Sequence, residues 1–64
     1  MKRIEIKGGR KGKTPLWIAR LPFSQESFWT SCREEAQVFS STFMALIKIQ
    51  EVNPKLNPMI VENN

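Results

Sequence analysis

The chain has 64 residues, of which 41% are hydrophobic, and a formal net charge of +4 at pH 7. This length corresponds to one small domain, near the size at which a single hydrophobic core is only marginally stable. The hydrophobic share argues against wholesale disorder, and a lone cysteine excludes an internal disulfide framework. We therefore expect one domain over residues 1–64 that gains stability from self-association or from a partner.

The positive charge is concentrated at the N-terminus. Residues 1–13 hold six Lys or Arg and one Glu, a net charge of +5, whereas residues 14–64 hold four Lys or Arg and five Glu, a net charge of −1. This asymmetry indicates an anionic partner for the N-terminal part, although net charge also serves solubility. The N-terminus lacks the apolar run of a signal peptide, and no apolar run suits a membrane span. We expect a cytoplasmic protein with no membrane partner.

Residues 2–21 have the pattern of a β-hairpin. Apolar and charged residues alternate from Lys2 to Lys7, which predicts a half-buried strand, and Leu16–Leu21 is rich in residues that favour strands. The stretch between them, GGRKGKTP, resembles a Walker-type phosphate loop. However, Lys7 stands where that pattern has its first glycine, and a strand is expected where the pattern needs a helix. The glycines favour a turn, so we interpret the stretch as a long basic hairpin loop.

A long amphipathic helix is expected after the hairpin, over residues of about 24–52. Ser24 is a favourable N-cap, and Phe23 and Phe28 are spaced as a hydrophobic staple. Asn53–Pro54 is a favourable stop. Apolar residues recur three or four positions apart, as one helical face requires. They are Phe28, Trp29, Cys32, Ala36, Phe39, Phe43, Leu46 and Ile47. Cys32 on this face is expected to pack as a small hydrophobic residue.

A second interpretation of this region stays open. Ser40–Thr42 favour helices only weakly, and residues 43–52 also alternate in the manner of a strand. The helix would then end near Phe39, and a third strand would cover 43–52. The tail, 53–64, holds two Asn-Pro steps that favour extended or turn backbone, and Met59–Val61 is expected to add a short strand to the hairpin. The predicted class is α+β with one dominant helix, and ββαβ is the alternative.

The residue inventory excludes most catalytic chemistry. The chain contains no His, Asp or Tyr, so neither a Cys/His zinc site nor a nucleophile paired with histidine can be assembled. Glu34 and Glu35 are adjacent and would diverge on a helix. We expect a non-enzymatic protein with no catalytic residue, cofactor or metal site.

The basic hairpin is the candidate binding site. Cationic side chains around a glycine-rich loop can neutralise phosphates, and a tryptophan on an uncovered sheet face can stack on a base. The predicted nucleic-acid-binding residues are Arg3, Lys7, Arg10, Lys11, Lys13 and Trp17. This placement of Trp17 requires that the opposite face of the hairpin, with Ile4, Ile6, Leu16 and Ile18, is turned toward the helix. The opposite orientation, with Trp17 in the core, stays open because both faces of the second strand are apolar.

Two functions of different classes are compatible with these features. The first is a small nucleic-acid-binding accessory or regulatory protein. The second is a protein-binding adaptor or inhibitor, of the kind that phages and plasmids direct against host or defence proteins, which its basic loop steers toward an acidic partner surface. A helix over 24–52 would extend beyond the hairpin, so we also expect a homodimer through its second half. The predicted interface residues are Phe39, Phe43, Leu46 and Ile47.

Overall fold

In the part of the chain that the structure describes, a four-stranded antiparallel sheet and one α-helix form the framework. The computed structural model describes residues 3–24, 26–52 and 54–63. The strands and helix are β1 (Arg3–Gly8), β2 (Leu16–Arg20), β3 (Ser27–Thr30), α1 (Thr42–Ile49) and β4 (Met59–Asn63). Short 3₁₀ turns lie at Arg33–Glu35 and Pro54–Leu56. The predicted α+β class, with an N-terminal hairpin, a helix and a C-terminal strand, is confirmed. Lys2, Gln25, Asn53 and Asn64, which belonged to predicted elements, lie outside the described residues.

The strands follow the spatial order β3-β2-β1-β4. The first three strands are consecutive antiparallel neighbours, and β4 returns after a long connection to pair with β1. This is the order of a Greek key, in which the fourth strand lies beside the first. The strand with the clearest alternation of apolar and charged residues, β1, is therefore an inner strand with a partner on each side.

The core lies between the sheet and α1. Alternate residues of a strand point to opposite faces, so Ile4 and Ile6 of β1 share one face with Ile18 of β2. Ala45 of α1 is fully buried against them, and its small side chain lets the helix lie close to the sheet. The core residues are Ile4, Ile6, Ile18, Phe39 and Ala45, with Trp29, Ile49, Val52 and Ile60 packed around them. The predicted orientation of the hairpin, with its isoleucines toward the helix, is confirmed.

The helix is much shorter than predicted. It has eight residues, and its N-cap is Ser41, whose Oγ accepts a hydrogen bond from the Met44 N–H at 3.2 Å. The predicted extent, 24–52, is therefore wrong in its first part, and the alternative strand over 43–52 is wrong because 42–49 is helical. Within the described residues, no helix has the length and apolar character needed to cross a membrane.

The region predicted as the first half of the helix contains β3. Phe28 lies opposite Ala19 of β2 rather than stapling a helix start, and Trp29 lies opposite Ile18. Both faces of β2 are apolar and its free edge needs a hydrogen-bonding partner, so the residues after the turn pair with it. Cys32, expected to be buried on a helical stripe, is exposed.

Residues 36–39 cross from one face of the sheet to the other between β1 and β2. The two strands are paired at Lys7 and Gly8. Further from the hairpin loop, the Gln37 N–H donates to the Ile18 carbonyl at 2.9 Å, and the Phe39 N–H donates to the Ile4 carbonyl at 2.8 Å. The crossing segment thus satisfies backbone groups that the diverging strands leave open, and it delivers Phe39 into the core.

Gly8 is a position where packing excludes a side chain. A Cβ there would lie 2.7 Å from the Trp29 ring and 2.8 Å from the Leu56 carbonyl oxygen. We expect Gly8→Ala to lower the free energy of unfolding by about 1–3 kcal/mol, the usual cost of overpacking. Urea unfolding of the variant measures this cost. Equal stability of Gly8→Ala and the parent protein would contradict the close packing of Trp29 over β1.

Candidate functional site

The loop between β1 and β2 contains a tight turn at its tip. The Lys13 N–H donates to the Arg10 carbonyl at 3.0 Å, and Gly12 has a φ of 80°. A positive φ at the third residue is typical of a type II turn, which favours glycine there. The turn fixes the backbone of three cationic residues, Arg10, Lys11 and Lys13, all of which are exposed.

The base of the loop is attached to the segment that precedes β4. The Gly9 N–H donates to the Leu56 carbonyl at 2.7 Å, and Gly9 has a φ of 132° that a side chain would rarely adopt. Asn57, next to Leu56, also has a positive φ, of 50°, a region in which asparagine is enriched. The loop is therefore held at its base as well as at its tip.

A shallow pocket of about 280 Å³ lies at this end of the molecule. The described residues that line it are Lys7, Gly8, Gly9, Arg10, Lys11, Lys13, Pro15, Asn57 and Met59. Four of them are cationic, and none of these lining residues carries a carboxylate. The structure thus brings four of the six predicted nucleic-acid-binding residues together around one concave surface, with a potential that favours an anion.

Trp17 lies next to this pocket on the sheet face opposite α1. It is part of a cross-strand row that runs over all four strands: Thr30, Trp17, Lys7 and Met59. The Lys7 Nζ lies 5.9 Å from the centroid of the Trp17 ring, within the range of a cation–π interaction. Trp17 is partly buried and does not belong to the core. This outcome answers the question that the sequence left open about its orientation.

Arg3 lies apart from the pocket, in an ion cluster around the buried carboxylate of Glu5. Glu5 is 0% exposed and accepts hydrogen bonds from Arg3 Nη2 at 3.2 Å, from Arg33 Nε and Nη2 at 3.3 Å and from Asn63 Nδ2 at 3.3 Å. A buried charge requires such partners. The cluster therefore connects β1, β4 and the 3₁₀ turn at Arg33–Glu35, and it covers part of the sheet face that we expected to be open.

The four predicted interface residues differ in their exposure. Phe39 is 8% exposed and belongs to the core, and it also lines a depression beside α1 together with Ile47. The crossing segment directs the Phe39 side chain into the core, whereas the predicted continuous helix placed Phe39 in an interface. Phe43, Leu46 and Ile47 are exposed on α1, together with Met44. Whether they contact a partner stays a prediction.

No protein-family model matches the chain, and neither a curated protein nor a solved structure shows a significant similarity to it. A functional assignment therefore depends on the chemistry of the residues themselves. The strongest chemical feature in the described part of the chain is the cationic loop beside Trp17.

Proposed function

We propose that this protein is a small, non-enzymatic nucleic-acid-binding accessory or regulatory protein that holds phosphates with its β1–β2 loop. The observation that supports this proposal most strongly is the pocket lined by Lys7, Arg10, Lys11 and Lys13 without a carboxylate among its lining residues. Cationic side chains around one concavity are the electrostatic footprint of phosphate-backbone binding.

The fixed backbone of the loop favours binding over a role in solubility alone. Hydrogen bonds at Lys13 and at Gly9 restrain its tip and its base, so less conformational entropy is lost when a ligand binds. A loop that serves only solubility needs neither restraint. The open space around Gly12, which has no atom within 4 Å of a Cβ position, also lets a phosphate chain approach the turn closely.

A pair of charge-matched variants tests the proposal. Lys11→Gln removes one charge from the turn, and Arg20→Gln removes one charge from an exposed residue at the other end of β2. We expect Lys11→Gln to weaken the binding of labelled oligonucleotides of any sequence at 50 mM salt, because a phosphate contact carries little sequence information. Arg20→Gln should bind as the parent protein does. Fluorescence anisotropy measures both affinities, and a parent protein that binds neither DNA nor RNA would end the proposal.

Trp17 has a separate expected contribution, from stacking on an unpaired base. Trp17→Ala should weaken binding to a single strand by about 1–3 kcal/mol, with the salt dependence unchanged. Trp17→Phe keeps an aromatic face and should retain more of the affinity. Circular dichroism must first show that Trp17→Ala is folded. Full affinity of the folded Trp17→Ala protein would show that the ring serves only to pack against Lys7.

A second candidate function is a protein-binding adaptor or inhibitor. The exposed apolar residues of α1, Phe43, Met44, Leu46 and Ile47, favour it, because contiguous apolar surface is typical of an interaction site. The basic loop would then steer the protein toward an acidic partner surface. The two functions differ in their response to nuclease: a complex with a protein partner survives nuclease treatment, whereas one bridged by nucleic acid does not.

A further inference from the structure

Phe23 occupies a strained and fully exposed position in the turn between β2 and β3. Its φ is 63°, and its relative exposure is 107%. The Ser24 N–H donates to the Leu21 carbonyl at 3.3 Å across this turn, so Pro22 and Phe23 are its two central residues. With proline second and a positive φ third, the turn is of type II, in which glycine or asparagine is the usual third residue.

The surrounding hydrogen bonds impose this conformation on Phe23. The Leu21 N–H donates to the Glu26 carbonyl at 3.0 Å, and the Glu26 N–H donates to Ser24 Oγ at 3.0 Å. A bulky residue with positive φ carries backbone strain, and an exposed aromatic ring gains nothing from the hydrophobic effect. Glycine would suit the turn better. The phenyl ring is therefore explained best by a contact outside the chain.

The outer face of α1 lies at the same end of β2. Six of the eight helix residues, FMALI and Ile49, are apolar, and a helix that is apolar all round is usually buried on all sides. Beside it lies a depression of about 440 Å³, lined by Arg20, Gln37, Phe39, Met44, Ile47, Lys48 and Glu51. Phe23 is three residues from Arg20, so their Cα atoms lie within about 11 Å of each other.

We propose that a second copy of this chain covers the surface formed by Phe23, Phe43, Met44, Leu46 and Ile47, with the Phe23 ring of each copy in the depression of the other. A two-fold interface requires that one chain carries both complementary features, and the projecting ring and the depression meet this requirement. Lys48 and Glu51 at the border of the depression form an ion pair with each other at 3.5 Å. Because their charges offset each other, these two residues favour neither an acidic nor a basic partner. The inference is independent of nucleic-acid binding.

The apolar area is sufficient for the centre of a dimer interface. An aromatic side chain buries about 150–250 Å², so Phe23 and the 67% exposed Phe43 offer about 250–400 Å². The half-exposed Met44, Leu46 and Ile47 add roughly 30–60 Å² each, which is half the apolar area that corresponds to the usual transfer free energies of such side chains. The total of about 350–600 Å² compares with about 800 Å² per partner in a standard specific interface, in which a polar rim supplies the remainder.

Sedimentation equilibrium of the full chain, from about 1 to 100 µM, tests the dimer. We expect the parent protein to approach twice the chain mass of 7.4 kDa within this range. Phe23→Gly should raise the dissociation constant roughly 30-fold, as for the loss of a central interface residue. Its thermal unfolding at low concentration should be unchanged or improved, because glycine suits the positive φ. Met59→Gln, at the exposed end near the hairpin loop, is the control and should dimerise as the parent does.

Two results would overturn this inference. One is a parent protein that stays monomeric at 100 µM. The other is undiminished dimerisation of the folded Phe23→Gly protein. If Phe23→Gly does not fold, Phe43→Glu takes its place, since it puts a charge on the same surface at an exposed helical position. A Phe43→Glu protein that dimerises as the parent does would then overturn the inference as well.

Discussion

Raising the salt concentration from 50 to 200 mM is expected to weaken binding to duplex DNA about 150-fold, or about 3 kcal/mol. Each neutralised phosphate contributes about −0.9 to the slope of log affinity against log salt. The four cationic residues that line the loop pocket, Lys7, Arg10, Lys11 and Lys13, therefore predict a slope of about −3.6 if each contacts one phosphate.

Titrations at four or more salt concentrations measure this slope. The Lys11→Gln variant should bring it to about −2.7, because one counterion fewer is released, whereas Arg20→Gln should keep the parent slope. A slope near zero for a protein that does bind would point to contacts other than phosphates. An unchanged slope for Lys11→Gln would show that the turn is not part of the binding site.

Phe39→Ala is expected to lower the free energy of unfolding by about 3–5 kcal/mol, the typical cost of truncating a buried phenylalanine. Phe39 belongs to the same core cluster as Ile4, Ile6 and Ile18, and it ends the segment that crosses between β1 and β2. A domain of this size has a small free energy of unfolding. The variant should therefore be largely unfolded or close to its midpoint at 37 °C.

Phe43→Ala is the matched control for this loss. The same atoms are removed from a side chain that is 67% exposed, so the change should stay within about 0.5 kcal/mol. Urea unfolding near 1 µM keeps the contribution of self-association small. If Phe43→Ala destabilised the monomer as much as Phe39→Ala, the assignment of Phe39 to the core and of Phe43 to the surface would be contradicted.

The hairpin and its cationic loop could be predicted because their signals are local. Alternation in β1 places Ile4 and Ile6 on one face, and the glycines mark the loop between the strands. The register of β1 against β2, which places Lys7 opposite Trp17, and the face on which Trp17 lies were not fixed by these local signals. The sequence could not indicate the hydrogen bond from the Gly9 N–H to the Leu56 carbonyl, because that contact depends on how the chain returns to form β4.

The prediction of a helix over the first half of 24–52 was wrong because the same spacing of apolar residues can arise from more than one kind of structure. Phe28 and Trp29 point to opposite faces of β3, and Phe39 reaches the core from the crossing segment, yet their positions mimic one helical face. Pairing with β2 is a tertiary effect that outweighs local preference. The environment of Glu5 was missed for the same reason: its partner Arg33 lies 28 residues away, in a region assigned to the helix.

Chemical-shift mapping of the ¹⁵N-labelled protein with an unlabelled oligonucleotide at 50 mM salt tests most directly whether the β1–β2 loop binds nucleic acid. We expect the largest changes at the amides of residues 8–14 and at the indole N–H of Trp17, with the amides of α1 little affected. If the largest changes fell on α1, or if the loop amides did not move at saturation, the proposed binding site would be contradicted.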